Sequence, residues 1–292
     1  MLDLAIAGVV ALVVWWLATG VVMFAAWQGA QRQRLLLLAF VGVAILGCAG
    51  LYASARMESV AGTYLAFLSA LAVWAFLEAT FLFGMVTGPR QARCPREARG
   101  LQRFRLAFLA VRDHEFALVA GGLVVAALVW GGPNHAGLWT FALLWVMRLS
   151  AKLNIFLGAP RAASVLIPRQ LRYLTSYFRT DRVSWLLPAT ILAAVVPFAL
   201  LLQAAFGAAD VHRAVAFMLL STFLGLAVLE HVFLVLPVSD ELLWLWAARD
   251  RAPASGADDQ PAPLQDTSRS PTATPRARIR QSHHKRGLTS WT

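Results

Sequence analysis

AGTYLAFLSALAVWAFLEATFLFGMV (residues 61–86) runs directly into TGPRQARCPREARGLQRFRLAFLAVRDH (87–114). The first stretch has Glu78 as its only charged residue, whereas the second carries Arg90, Arg93, Arg96, Arg99, Arg103, Arg105 and Arg112. A helix needs roughly 20 mainly apolar residues to cross a hydrocarbon layer of about 30 Å. The first stretch meets that length. Arginine collected in a short connection marks the cytoplasmic side of a membrane protein, so the pair reads as a span followed by an inner loop.

Working outward, the same alternation covers most of the chain. Apolar stretches lie at Leu2–Trp27, Leu35–Ala53, Ala61–Val86, Glu115–Trp130, Gly137–Leu157, Trp185–Phe206 and Val211–Pro237. Arg32 and Arg34 follow span 1. Arg148, Lys152, Arg161, Arg169, Arg172, Arg179 and Arg182 surround the exit of span 5, and the remaining basic residues follow span 7. Of 26 Lys and Arg, only Arg56 and Arg213 fall on the other side. The expected fold is all-α and polytopic. It has seven transmembrane helices, a periplasmic N-terminus and a cytoplasmic C-terminus, and it sits in a bacterial inner membrane. An even number of spans would put a large basic loop on the wrong face.

Composition agrees: 59% of residues are hydrophobic and 14% charged. The net charge of +11 follows from the topology rule and from attraction to anionic lipids. Nucleic acid is not an expected partner, because no aromatic residues alternate with the basic ones of the C-terminal region to form stacking platforms. Cys48 and Cys94 fall on opposite sides of the membrane in this topology, which excludes a disulfide, a zinc site or a redox pair. Span 1 lacks a basic leader, and its apolar run exceeds that of a signal peptide. It is read as a retained helix.

Two inner segments look amphipathic. Arg99–Arg112 spaces Leu101, Phe104, Phe108 and Val111 by three and four. Pro168–Thr180 does the same with Leu171, Leu174, Tyr177 and Phe178. Both read as basic helices lying in the inner head-group plane. Asp113 reads as the N-cap of span 4, with Glu115 in its first turn. From about residue 249 Pro, Ser, Thr, Ala, Asp and Arg dominate, so 1–248 reads as the membrane domain and 249–292 as a disordered basic cytoplasmic tail.

Ionisable groups inside spans are costly and point to function by default. Glu78 in span 3, Arg148 and Lys152 in span 5, and Glu230 with His231 in span 7 all fall in the inner half of the bilayer. At 1.5 Å per residue, Glu78 lies roughly 6 Å and Glu230 roughly 8 Å inward of their span midpoints. Two readings stand: ion pairs that lock spans 3, 5 and 7 together, or a ligand site. His231 follows Ala227 by four residues, a spacing seen in bacteriochlorophyll-binding antenna helices. It is therefore the candidate ligand for a magnesium porphyrin, although a histidine bonded to a neighbouring helix gives the same pattern. No metal site is expected otherwise, and no nucleotide-binding glycine motif follows a strand-like run.

Lys152-Leu153-Asn154-Ile155-Phe156-Leu157-Gly158 is followed by Leu171-Arg172-Tyr173-Leu174-Thr175-Ser176-Tyr177-Phe178, and Glu230-His231 by Phe233-Leu234-Val235-Leu236-Pro237. These segments resemble the photosynthetic complex assembly family of purple bacteria (PuhE), whose members are encoded beside the reaction-centre H subunit. The likeness covers roughly Leu2–Trp246 and is strongest from Arg148 to Phe178, with Asn154, Gly158, Arg172, Tyr173 and Tyr177 as its motif residues. The chain departs at Ala159-Pro160-Arg161, where the family pattern has a Val-Arg-Asn-like tripeptide. The resemblance implies a non-catalytic role in assembling the reaction centre and core antenna, or in supplying bacteriochlorophyll to them. The implied partners are reaction-centre or core-antenna polypeptides and other assembly factors. No cofactor is firmly expected; bacteriochlorophyll or a precursor belongs to the alternative reading, a pigment-handling protein with an inner-leaflet pocket. A transporter fits less well, since paired broken helices in two repeated halves are missing from the sequence.

Overall fold

A computed structural model describes residues 1–162 and 167–236. Among them there is no strand. The chain forms seven long helices: α1 (Leu2–Ala26), α2 (Ala30–Ser54), α3 (Val60–Leu82), α4 (Gly100–Leu128), α5 (Ala136–Leu157), α6 (Leu186–Gly207) and α7 (Val211–Phe233). A 3-10 helix spans Arg169–Tyr177. All the long helices except α4 are long and apolar enough to cross a membrane, which makes this a multi-pass membrane protein. The expected tail 249–292, the boundary at 248 and the end of span 7 from residue 237 lie outside the described residues.

α3 is the central element. It buries residues around its whole circumference, including Ala66, Phe67, Ala70, Val73, Leu77 and Phe81, as expected of a helix that is apolar on every side and surrounded by others. α2, α4 and α5 pack on one side around Leu51, Val73, Leu118, Val125 and Phe141. α1 and α7 pack on the other, around Ala7, Ala11, Phe67, Val215, Leu219 and Phe223. α6 lies at the margin and exposes Leu192, Val196 and Leu200; in a bilayer such side chains meet acyl tails rather than water.

With lipid outside, helix association depends on close backbone approach rather than on apolar burial. α2 meets α3 at Gly47 and Gly50. A Cβ added at Gly47 would sit 2.8 Å from Ser69 O, and one at Gly50 would sit 2.1 Å from Ser69 Oγ. α5 approaches through Gly137, whose added Cβ would lie 2.9 Å from Ala66 O. At the arginine-poor end the connections are short, and they are tied together. Asn134 donates through Nδ2 to Ser54 O at 3.1 Å, and its backbone N–H donates to Ala55 O at 3.1 Å.

The other end is a folded cap, and it differs from the sequence expectation in three ways. First, Arg99–Arg112 is not a separate in-plane helix. It is the opening of α4, a single helix of 29 residues. Second, Asp113 is not an N-cap. It lies inside α4, where Arg112 Nε donates to its Oδ1 at 2.9 Å. The charges that resemble a helix start are each partnered, so nothing compels the helix to begin there. Third, the Pro168–Thr180 segment is a 3-10 helix and not an α-helix. Thr175 Oγ1 donates to Arg172 O at 2.8 Å and Ser176 Oγ to Tyr173 O at 2.6 Å. Such contacts to the residue three back favour the tighter coil. Leu171 and Tyr177 are its buried face, and they pack into the cap.

Candidate functional site

Three side-chain hydrogen bonds of the central bundle tie one helix to another. Arg148 of α5 donates through Nη2 to Glu78 Oε2 of α3 at 3.1 Å. One turn on, Lys152 Nζ donates to Glu115 Oε1 of α4 at 2.6 Å. Trp15 Nε1 of α1 donates to Glu230 Oε1 of α7 at 3.1 Å. Arg148 and Lys152 share a helix face but take different partners, so the two acids expected to serve them, Glu78 and Glu230, are joined by a third, Glu115. Glu115 escaped sequence reasoning because it looked like a first-turn residue.

His114 was also missed as part of the cluster. It is fully buried, stacks on Phe81 with ring centroids 4.3 Å apart, and places Nε2 3.8 Å from Glu78 Oε1. Neither ring nitrogen has a hydrogen-bond partner, and neither does Glu78 Oε1. Its sequence signal is faint: it lies four residues after Ala110, a spacing common in an alanine-rich chain.

His231 is 2% exposed. Its Nδ1 lies 2.8 Å from Ala227 O, and its Nε2 lies 3.0 Å from Ser150 Oγ on α5. A carbonyl only accepts, so Nδ1 carries the proton and Nε2 accepts from the serine. Both nitrogens are thereby engaged in hydrogen bonds. The alanine four residues earlier is the histidine's own hydrogen-bond acceptor.

Glu78, Arg148 and Glu230 line a cavity of about 230 Å³ bounded by α1, α3, α5 and α7. Toward the arginine-poor end α3 and α7 touch through Phe67 and Phe223, edge to face at 4.9 Å, and Thr63 Oγ1 donates to His212 O at 3.3 Å. Toward the arginine-rich end the two helices are separated by the cavity. Apolar side chains such as Trp74 and Met147 complete its wall.

The motif residues lie apart from this cavity. Asn154 is fully buried and donates through Nδ2 to Ser150 O at 3.0 Å and Thr190 Oγ1 at 3.2 Å, joining α5 to α6. Gly158 closes α5: its N–H donates to Asn154 O at 2.7 Å and its carbonyl accepts from Ser184 N at 2.8 Å. A Cβ there would lie 2.7 Å from Arg182 O, so the crossing requires glycine. Tyr177 accepts from Arg90 Nε and donates to Ala92 O, both at 3.0 Å, while its own carbonyl accepts from Arg103. Tyr173 is part-buried beside Ala110 O at 3.5 Å, and burial pushes its phenol up from the ordinary range. Arg172 is exposed. The motif therefore builds the cap rather than the cavity.

Residues 1–255 match the model of a family described as a protein of unknown function (DUF3623). The chain belongs to that family. It is 38% identical over 237 residues to a protein of Rhodobacter capsulatus described as an uncharacterized 30.4 kDa protein in the puhA 5′ region, covering 80% of this chain and 86% of that one. No solved structure matches.

Proposed function

We propose that this chain is a non-catalytic assembly factor for photosynthetic complexes, the reaction centre with its core antenna. In this reading it crosses a bacterial inner membrane seven times, with its N-terminus periplasmic and its arginine-rich cap and C-terminus cytoplasmic. The observation that carries it is the relative whose description places it in the puhA 5′ region. The motif resemblance supports it, since members of that family are encoded beside the H subunit. In this reading α4 supplies the seventh span: its first turns form the cap, and the rest of the helix, from about Leu109 to Leu128, crosses with Arg112 paired to Asp113 and Glu115 to Lys152. The reading also assigns the basic cap to contact with anionic lipids and with nascent reaction-centre or antenna polypeptides.

Crosslinking in photosynthetic membranes, followed by purification of a tagged chain, tests this. Reaction-centre, core-antenna or pigment-synthesis polypeptides are expected in the purified material. Their absence after efficient crosslinking sinks the reading.

The alternative, a tetrapyrrole carrier, is disfavoured by two observations. Both nitrogens of His231 are hydrogen-bonded. The cavity of about 230 Å³ is below the roughly 300–1,000 Å³ typical of pockets for drug-sized ligands, and a porphyrin is larger than most such ligands. The purified protein is expected to show no tetrapyrrole absorption band; a stoichiometric band lost in His231→Ala would reverse this choice.

A further inference from the structure

We infer that the cavity between α1, α3, α5 and α7 is a binding site for a small neutral carbonyl compound with a flat apolar body. This goes beyond the assembly reading and stands independently of it. Three observations converge. The first is Arg148. It lines the cavity, 43% of its side chain is accessible, and its hydrogen bond to Glu78 uses one of its donors. A guanidinium has five N–H donors in a rigid fork, so it presents further donors to a ligand oxygen. The second is charge. Arg148 is already matched by Glu78 at 3.1 Å, and Glu230 stands on the same wall. An anion would face two carboxylates, and a cation would sit against the guanidinium with only Glu230, already bonded to Trp15, in its favour. A neutral acceptor meets neither penalty. The third is shape. Trp15, Trp74 and Phe223 are among the apolar residues that line the rest of it, and about 230 Å³ accommodates one substituted ring. Pockets for lipid-soluble molecules combine such apolar walls with a few fixed polar groups. Arg148 and these rings line the same cavity, so carbonyl and ring are recognised together.

The test uses the purified full chain in detergent micelles and fluorine NMR of four probes of similar size. They are 4-fluoroacetophenone, 1-ethyl-4-fluorobenzene, 4-fluorobenzoate and 4-fluorobenzylammonium. Saturable binding of the ketone is expected, about tenfold tighter than the hydrocarbon, the order of one net hydrogen bond. Glu78→Gln with Arg148→Gln removes both charges and the guanidinium fork and is expected to remove most of that preference. Where this pair fails to fold, Arg148→Lys keeps the charge but loses the fork and is expected to weaken the preference severalfold. Equal binding of ketone and hydrocarbon, tighter binding of the acid or the amine, or an undiminished preference in the folded variants would each overturn the proposal. Failure of the binding test leaves the crosslinking result untouched, and the reverse holds as well.

Discussion

Among single residues, Glu78 is the most consequential. Its carboxyl group is buried among three helices, with Arg148 on one oxygen and His114 beside the other. Removing one member of a buried pair strands the other's charge, whereas removing both does not. Arg148→Gln is therefore expected to destabilise the protein by about 3 kcal/mol, at the low end for buried pairs because part of the arginine is accessible. Combining it with Glu78→Gln should recover much of that loss. Unfolding in mixed micelles measures both, and an equal or larger loss in the double variant would refute the account. His231→Ala should cost about 1–3 kcal/mol, because Ser150 Oγ and Ala227 O lose their partner. An unchanged midpoint would count against the assigned tautomer. That Glu78, Arg148, Lys152, Glu230 and His231 lie within long apolar helices was legible from the sequence. Their pairing was not: sequence gives height along a helix but not which neighbour faces it, and only three-dimensional packing brought Glu115 and His114 into the cluster.

At the scale of elements, glycine sets the distances. Replacing Gly47 with Leu is expected to push α2 off α3, since even a Cβ meets backbone at Ser69 O. We expect a loss of about 1–3 kcal/mol, as for overpacking, and faster proteolysis of the connection at residues 55–59. Gly88→Ala should act at the other end. An added Cβ would lie 2.3 Å from Leu109 O, where the loop donates Arg90 N–H to that carbonyl and accepts His114 N–H through Thr87 O. Deuterium exchange at residues 88–92 should then quicken; unaltered exchange would show that the contact is not needed. The long apolar helices were readable because lipid imposes their length. α4 was misjudged at its start because Arg112, Asp113 and Glu115 resemble a boundary, and their pairing, Arg112 with Asp113 and Glu115 with Lys152, cancels that signal. The 3-10 helix was missed because apolar spacing by three and four does not distinguish it from an α-helix when hydroxyl side chains compete for the backbone.

For the whole molecule, the topology in our reading makes a direct prediction. A fluorescent reporter that matures only in the cytoplasm should be bright when fused after residue 292 and dark when inserted between residues 131 and 134. Bright signals at both sites would remove the seven-span arrangement. The class of the fold was evident from the alternation of apolar runs and arginines, but the cap was not, because its contacts join segments far apart in the chain. Arg103 near the start of α4 donates to Phe156 O at 3.1 Å and to the carbonyl of Tyr177, and its guanidinium lies 4.1 Å from the Phe156 ring centroid. That latch has a consequence for biosynthesis. Arg103 is synthesised before Phe156 and Tyr177, so the start of α4 waits for its partners. The arginine-rich end therefore closes only once the chain has been translated past residue 177.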